Sequence, residues 1–201
     1  MAEGPRSTPT ISGDSVFTYG PQGILNCLDF RTGKLKWKED VSKKFRSAKG
    51  FFGRCCSPLV VGNLVMLDVG GPGAGVVAFD KENGKVLWKY TDVGRTISTV
   101  SVADGLVYIA EYAGLVHCLD ANTGKLYWKH DSFSRIWGST LVVDGKVLLG
   151  NEDGDLIILD HGKDKPKVKT VDMGAPVYSS PVVANGVLYV ATQTHLYAIG
   201  K

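Results

Sequence analysis

The chain has 201 residues, 44% apolar and 21% charged, enough to bury the core of one ordinary domain and too apolar for a disordered polymer. Its 23 Lys and Arg against 20 Asp and Glu leave a net charge of +3 with the signs interspersed, which argues against a nucleic-acid binder. No apolar run reaches a membrane span, the start Met1-Ala-Glu-Gly-Pro-Arg6 lacks the pattern of an export signal, and four cysteines do not make a disulfide framework in so long a chain.

The 25 glycines, about 12% against an average of roughly 7%, predict many tight turns. In chain order, the first repeat (4–40) turns at Gly13-Asp14 and closes with Cys27-Leu-Asp-Phe-Arg-Thr-Gly-Lys-Leu-Lys-Trp37. Extra residues from Val41 to Gly50 precede the second repeat (50–92). It turns at Gly62-Asn63, carries Gly70-Gly-Pro-Gly-Ala-Gly75 as a long hairpin loop, and closes with Ala78-Phe-Asp-Lys-Glu-Asn-Gly-Lys-Val-Leu-Trp88. The third (94–131) turns at Asp104-Gly105 and Ala113-Gly114 and closes with Cys118-Leu-Asp-Ala-Asn-Thr-Gly-Lys-Leu-Tyr-Trp128. The fourth (134–173) turns at Asp144-Gly145 and Asp153-Gly154 and keeps only Ile158-Leu-Asp-His-Gly-Lys163 of the closing motif. The fifth (174–201) turns at Asn185-Gly186 and stops in Ala198-Ile-Gly-Lys201.

The motif starts fall at 27, 78, 118, 158 and 198, with spacings of 51, 40, 40 and 40. Asp-Gly and Asn-Gly supply the positive φ of a two-residue hairpin, and the runs between them are β-branched and aromatic without helical periodicity. Each copy therefore reads as a four-stranded antiparallel meander. Such a unit cannot bury both faces alone, so copies must stack about an axis. The expected fold is one all-β domain, a β-propeller of five blades, four complete and the last lacking its outermost strand. That open edge could pair with a second copy of the chain.

These motifs resemble the quinoprotein-like (PQQ-like) propeller repeat, marked by A-x-D-x-x-T-G-K-x-x-W, the tryptophan-docking motif. The resemblance covers nearly the whole chain; residues 4–92 look like early blades and 94–201 like closing ones. It implies structural docking by Asp29, Gly33 and Trp37, by Asp80, Gly84 and Trp88, and by Asp120, Gly124 and Trp128, each Trp packing against the neighbouring blade. Cys27 and Cys118 then sit at the small buried Ala position.

Upstream of the recurring strand start (Pro9, Pro58, Val100, Thr140, Pro181), Arg6 lies three residues before, Arg54 four, and Arg95 and Arg135 five. With Trp137 and Tyr178 nearby, they make a candidate anion- or partner-binding mouth, since guanidinium groups suit carboxylate and phosphate. Cys55-Cys56 is a candidate vicinal disulfide, the kind that covers the quinone in some alcohol dehydrogenases of the resembled superfamily. The alternative is two thiols on an innermost strand. Asn151-Glu-Asp-Gly-Asp155 reads as a hairpin turn rather than a calcium loop. The run His161–Lys169 reads as a solvated edge replacing a docking turn and fourth strand. His117, His130, His161 and His195 show no metal-ligand spacing, and no nucleophile elbow or phosphate loop is present.

The expected function is a non-catalytic binding or scaffold module recognising a protein partner or a small anionic ligand, with no cofactor. One alternative is a dehydrogenase using pyrroloquinoline quinone (PQQ) with calcium; another is an engineered or shortened propeller. The resemblance implies a periplasmic or extracellular setting.

Overall fold

A computed structural model describes residues 7–47, 56–71 and 73–200, and the chain divides into two compact units, 1–93 and 94–201. The boundary falls between the second and third repeats. Unit 1 begins with the antiparallel sheet β1 (Thr10–Ser12), β2 (Ser15–Tyr19), β3 (Ile24–Asp29) and β4 (Leu35–Asp40), in that spatial order. After the short helix α1 (Val41–Phe45) comes a second sheet, β5 (Leu59–Val61), β6 (Leu64–Gly71), β7 (Ala74–Asp80) and β8 (Val86–Tyr90).

Unit 2 holds three such sheets. The first is β9 (Ser101–Ala103), β10 (Leu106–Ala110), β11 (Leu115–Asp120) and β12 (Leu126–Asp131). The second is β13 (Leu141–Val143), β14 (Lys146–Gly150), β15 (Asp155–Asp160) and β16 (Val168–Asp172). The last has three strands, β17 (Val182–Ala184), β18 (Val187–Ala191) and β19 (Leu196–Ile199). All pairings are antiparallel between chain neighbours, the meander that the turn spacing predicts. At Asp104-Gly105, Asp144-Gly145 and Asn185-Gly186 both residues have positive φ, so the two-residue turn fixes the register of the strands on either side.

The middle strands are buried on both faces; β10 and β7 have no exposed side chain at all. In unit 1, Phe17, Tyr19, Leu25, Val65, Leu67, Val77 and Phe79 form one core; in unit 2, Tyr108, Val116, Trp128, Ile136, Leu149 and Leu159 form another. Each such side chain contributes about 1.5–3 kcal/mol by leaving water.

Three local features differ from the sequence expectation. The extra residues after the first repeat open with α1, where the Asp40 carboxylate accepts from Lys43 N–H at 2.8 Å and Arg46 closes the turn at φ +52. Val41 is buried and Phe45 meets Phe79 edge-on, so tertiary packing holds a helix too short to show a period. The glycine-rich stretch is not a long loop: β6 and β7 run on through a bulge until Gly71 pairs with Ala74. The fourth repeat loses its docking turn but keeps its fourth strand, with β16 pairing along β15 from Val168 to Asp172.

Two polar devices recur. In the closing turns, Asp29 Oδ1 accepts from Thr32 N–H and Thr32 Oγ, Asp80 Oδ1 from the N–H groups of Glu82 and Asn83, and Asp120 Oδ1 from those of Asn122 and Thr123. These bonds to Thr32 hold the Asp29 carboxyl below the usual range, as the Tyr127 hydroxyl does first of all for Asp120. At the strand starts, Thr8 N–H donates to Ser57 Oγ (2.9 Å), Thr99 N–H to Ser139 Oγ (2.9 Å) and Ser139 N–H to Ser180 Oγ (2.7 Å). One recurring hydroxyl position thus links adjacent sheets within each unit.

Candidate functional site

In unit 2 each repeat ties its second hairpin turn to the loop entering its first strand by one backbone bond. Tyr112 N–H donates to Arg95 O (2.8 Å), Glu152 N–H to Arg135 O (2.8 Å) and Gln193 N–H to Pro176 O (3.0 Å). The side chains of two recurring positions therefore stand together at one end of the sheets.

The result is a cluster of arginines and aromatics. The Tyr112 ring has Arg95 Cζ 5.2 Å and Arg135 Cζ 5.4 Å from its centroid, both within cation–π range. Trp137 packs edge-on against Tyr112 (5.0 Å, 89°) and Tyr178 edge-on against Trp137 (5.7 Å, 77°). Arg135 also meets Glu152, with Nη1 3.6 Å from Oε2, whereas Arg95 forms no ion pair among the described residues. Trp137 and Tyr178 remain 40% and 37% exposed, and Ile97, at the same repeat position, is exposed as well. The face therefore offers an apolar stripe beside an exposed guanidinium that lies over a ring, a group able to donate two hydrogen bonds to a carboxylate.

Beneath it, Glu111 and His117 are buried with Oε1 and Nε2 2.7 Å apart, bracing the turn that carries Tyr112. Gly94 belongs to this brace, because a Cβ there would lie 2.6 Å from Glu111 Oε2.

Of the sequence candidates, the structure brings Arg95, Arg135, Trp137 and Tyr178 together. Arg6, Arg54 and Cys55 lie outside the described residues. Tyr112, Glu152 and Glu111 were missed by sequence reasoning; the signal was the second turn recurring at a fixed offset from the arginine column. Cys56 occupies the position that Ser7, Ser98 and Ser179 hold in other repeats. Where the Ser98 hydroxyl donates to Ala110 O at 2.9 Å, Cys56 Sγ accepts from Asp68 N–H at 3.4 Å. Burial pushes the nearby Asp68 carboxyl up to about 7.

The docking residues divide between two settings. Trp37 Nε1 donates to Lys81 O (2.9 Å) and its ring lies on Gly84, where a Cβ would come within 2.7 Å of the ring. Trp128 Nε1 donates to Gly162 O (2.9 Å) in the worn turn. Trp88 is buried, and Gly33, Gly84 and Gly124 share a positive φ near 70°. Around Gly162, the Tyr108 hydroxyl lies 2.7 Å from His161 Nδ1 and accepts from Gly162 N–H at 3.1 Å, while His161 Nε2 faces Asp104 at 3.1 Å. Burial pushes the Cys118 thiol up to about 11 and the Cys27 thiol upward too, so both remain protonated at neutral pH.

Among the described residues no group of three or more His, Cys, Asp or Glu is placed to hold a metal ion. The Asn151–Asp155 segment is a closed turn: Asp155 N–H donates to Asn151 Oδ1 at 2.8 Å, and Gly154 has φ +97. These residues do not supply the acidic cradle of a calcium–quinone centre. No helix among the described residues is long and apolar enough to cross a membrane.

Comparison with known proteins follows the repeats. The family profile described as outer membrane protein assembly factor BamB matches residues 1–101 and, in a second overlapping match, 73–199. Outer membrane protein assembly factor BamB of Yersinia pestis is 30% identical over 112 residues, a stretch covering 56% of this chain and 28% of that protein. The structure of BamB from Moraxella catarrhalis superposes with a TM-score of 0.76 at 19% identity, over 98% of this chain and 58% of that one. The quinohemoprotein alcohol dehydrogenase of Comamonas testosteroni does so at 0.69 and 15%, over 98% and 42%. The two superpositions establish the shared β-propeller fold, and the chain spans well under two thirds of each relative's length. With five antiparallel sheets among the described residues and its docking repeats, this chain belongs to the BamB family of PQQ-repeat β-propeller proteins.

Proposed function

We propose that the chain is a non-catalytic binding module that recognises a protein partner, in the periplasm, through the face formed by Arg95, Tyr112, Arg135, Trp137 and Tyr178. The observation that carries this is the Arg95 guanidinium, stacked on Tyr112 and without an ion pair among the described residues, beside exposed Trp137. Aromatic and arginine side chains already stacked in place lose little freedom on binding, which is how interface hot spots are built. The preferred partner segment carries a carboxylate for Arg95 and an apolar side chain for the Ile97–Trp137–Tyr178 stripe. Membership of a family named for outer-membrane protein assembly supports a scaffold role over an enzymatic one. Pairing of a second copy along the outer side of β19 is a weaker reading, favoured only by exposed Leu196 on a strand with no outer neighbour among the described residues.

A random phage-displayed peptide library panned on the chain tests the main reading. Selected peptides should combine acidic and apolar residues, and Arg95→Ala or Trp137→Ala should each weaken them about tenfold or more. Peptides indifferent to both substitutions overturn the reading. So does saturable binding of PQQ with calcium that Arg95→Ala abolishes, which would favour the dehydrogenase alternative.

A further inference from the structure

The loop Asp131–Arg135 leads from β12 towards the arginine–aromatic face. On it Phe133 is 89% exposed, more than any other large apolar residue among those described, and its φ is +57. The other described non-glycine residues at positive φ have local reasons: Asp104, Asp144 and Asn185 lead two-residue turns and Arg46 ends α1. Phe133 has no such reason, and a bulky aromatic in the left-handed region persists only where its surroundings hold it.

They do hold it. Phe133 N–H donates to Asp131 Oδ1 at 2.8 Å. Ser132 N–H reaches Gly114 O at 3.0 Å, and the Ser132 hydroxyl lies within hydrogen-bond distance of both Gly114 O (2.9 Å) and Ser134 O (2.8 Å). Gly114, at φ +108, packs so tightly that a Cβ would lie 2.5 Å from Ser134 O. Just beyond the loop, Ile136 N–H donates to Tyr112 O at 3.3 Å, tying it to the turn that carries the stacked ring. A clamped loop thus presents a ring that buries almost none of its surface in its own unit. Stability gives no reason for Phe here, since Asn or Gly would adopt this φ with less strain.

We infer that Phe133 is a pre-positioned anchor that inserts into an apolar cleft of the protein partner engaged by Arg95 and Trp137; the inference rests on the partner-binding reading above. Continuity supports it, because Arg135, which stacks on Tyr112, stands two residues away on the same loop. Charge favours a protein over an anionic bilayer: Asp131 and Glu152 balance Arg95 and Arg135, and one ring without a basic excess holds a lipid surface poorly. The rigid loop also explains the tolerated strain, since an anchor fixed before binding loses no conformational freedom in the complex.

Four measurements test this. First, Phe133→Asn should leave the melting temperature unchanged or raise it by a few degrees; a clear fall would show that the ring packs on its own fold and would overturn the proposal. Second, peptides selected as above should bind Phe133→Ala at least about tenfold more weakly than the parent chain. Peptides that need Arg95 and Trp137 but ignore Phe133 sink the anchor and leave the partner reading intact; peptides that ignore all three sink both. Flotation with phosphatidylglycerol vesicles, or a dimer in sedimentation, that is lost in Phe133→Ala would assign the ring to a lipid surface or a second copy, and would equally overturn the proposal.

Discussion

The first and third repeats dock their tryptophans by the same bond onto different foundations. Trp37 of the first donates to a regular turn, whose Asp80 carboxylate organises the backbone and whose Gly84 lets the ring lie flat on the chain. Trp128 of the third faces the fourth repeat's worn turn, where Asp160 is engaged first of all by the Lys146 ammonium. There the carbonyl is set by the hydroxyl of Tyr108, which reaches both His161 and Gly162. The first repeat has Phe17 at the Tyr108 position, and both rings tilt against their Trp at nearly the same centroid distance, 5.9 and 5.8 Å. The geometry of a docking contact is thus conserved between repeats although the groups that enforce it are not: a carboxylate gripping turn N–H groups enforces one, a hydroxyl–imidazole network the other.

The comparison can be broken most forcefully at the rings. Trp128 is buried while Trp37 is half-buried. Trp128→Ala should cost about 4 kcal/mol in urea unfolding and Trp37→Ala roughly half as much. Equal losses would mean that burial does not separate the two sites. Next comes the foundation of the regular turn. Gly84→Ala combines a positive φ with a Cβ driven into the Trp37 ring and should cost about 3 kcal/mol, against about 1 kcal/mol for Gly145→Ala, which has positive φ but open space around it. Similar losses at both glycines would remove close approach as the reason for Gly84. The smallest effect belongs to the network: Tyr108→Phe keeps the ring contact, deletes the hydroxyl and should cost about 1.5 kcal/mol. No change in the unfolding midpoint would show that the worn turn stands without Tyr108.

Where the sequence was legible, one residue type carried one conformational demand at a fixed spacing. Asp-Gly and Asn-Gly demanded positive φ, and the turns at 104–105, 144–145 and 185–186 formed as read. The short helix α1 was not legible, because Val41 and Phe45 are helical through contacts with distant strands rather than through their own pattern. The persistence of β16 was hidden behind a lysine-rich run that has no strand signature yet pairs fully with β15. In the candidate site the arginine column could be read from its offset to the strand starts. Tyr112 was readable only through the fixed offset of the second turn from that column, since a cross-hairpin backbone bond rather than a local pattern brings it to Arg95. Phe133 is also invisible to pattern: its exposure and its φ are properties of a clamped loop.

The hydroxyl links at the strand starts bear on how such a chain can lengthen over evolutionary time. At Ser139 one residue is both hook and eye: its N–H donates forward to Ser180 and its hydroxyl receives from Thr99. A gene duplication that copies one repeat therefore copies both halves of the fastening, and the newcomer can couple to either neighbour without a compensating mutation. Blade number in such a lineage can change by tandem duplication or deletion of whole repeats, while variation in the turns, as at Tyr112 and Phe133, is free to follow the binding surface.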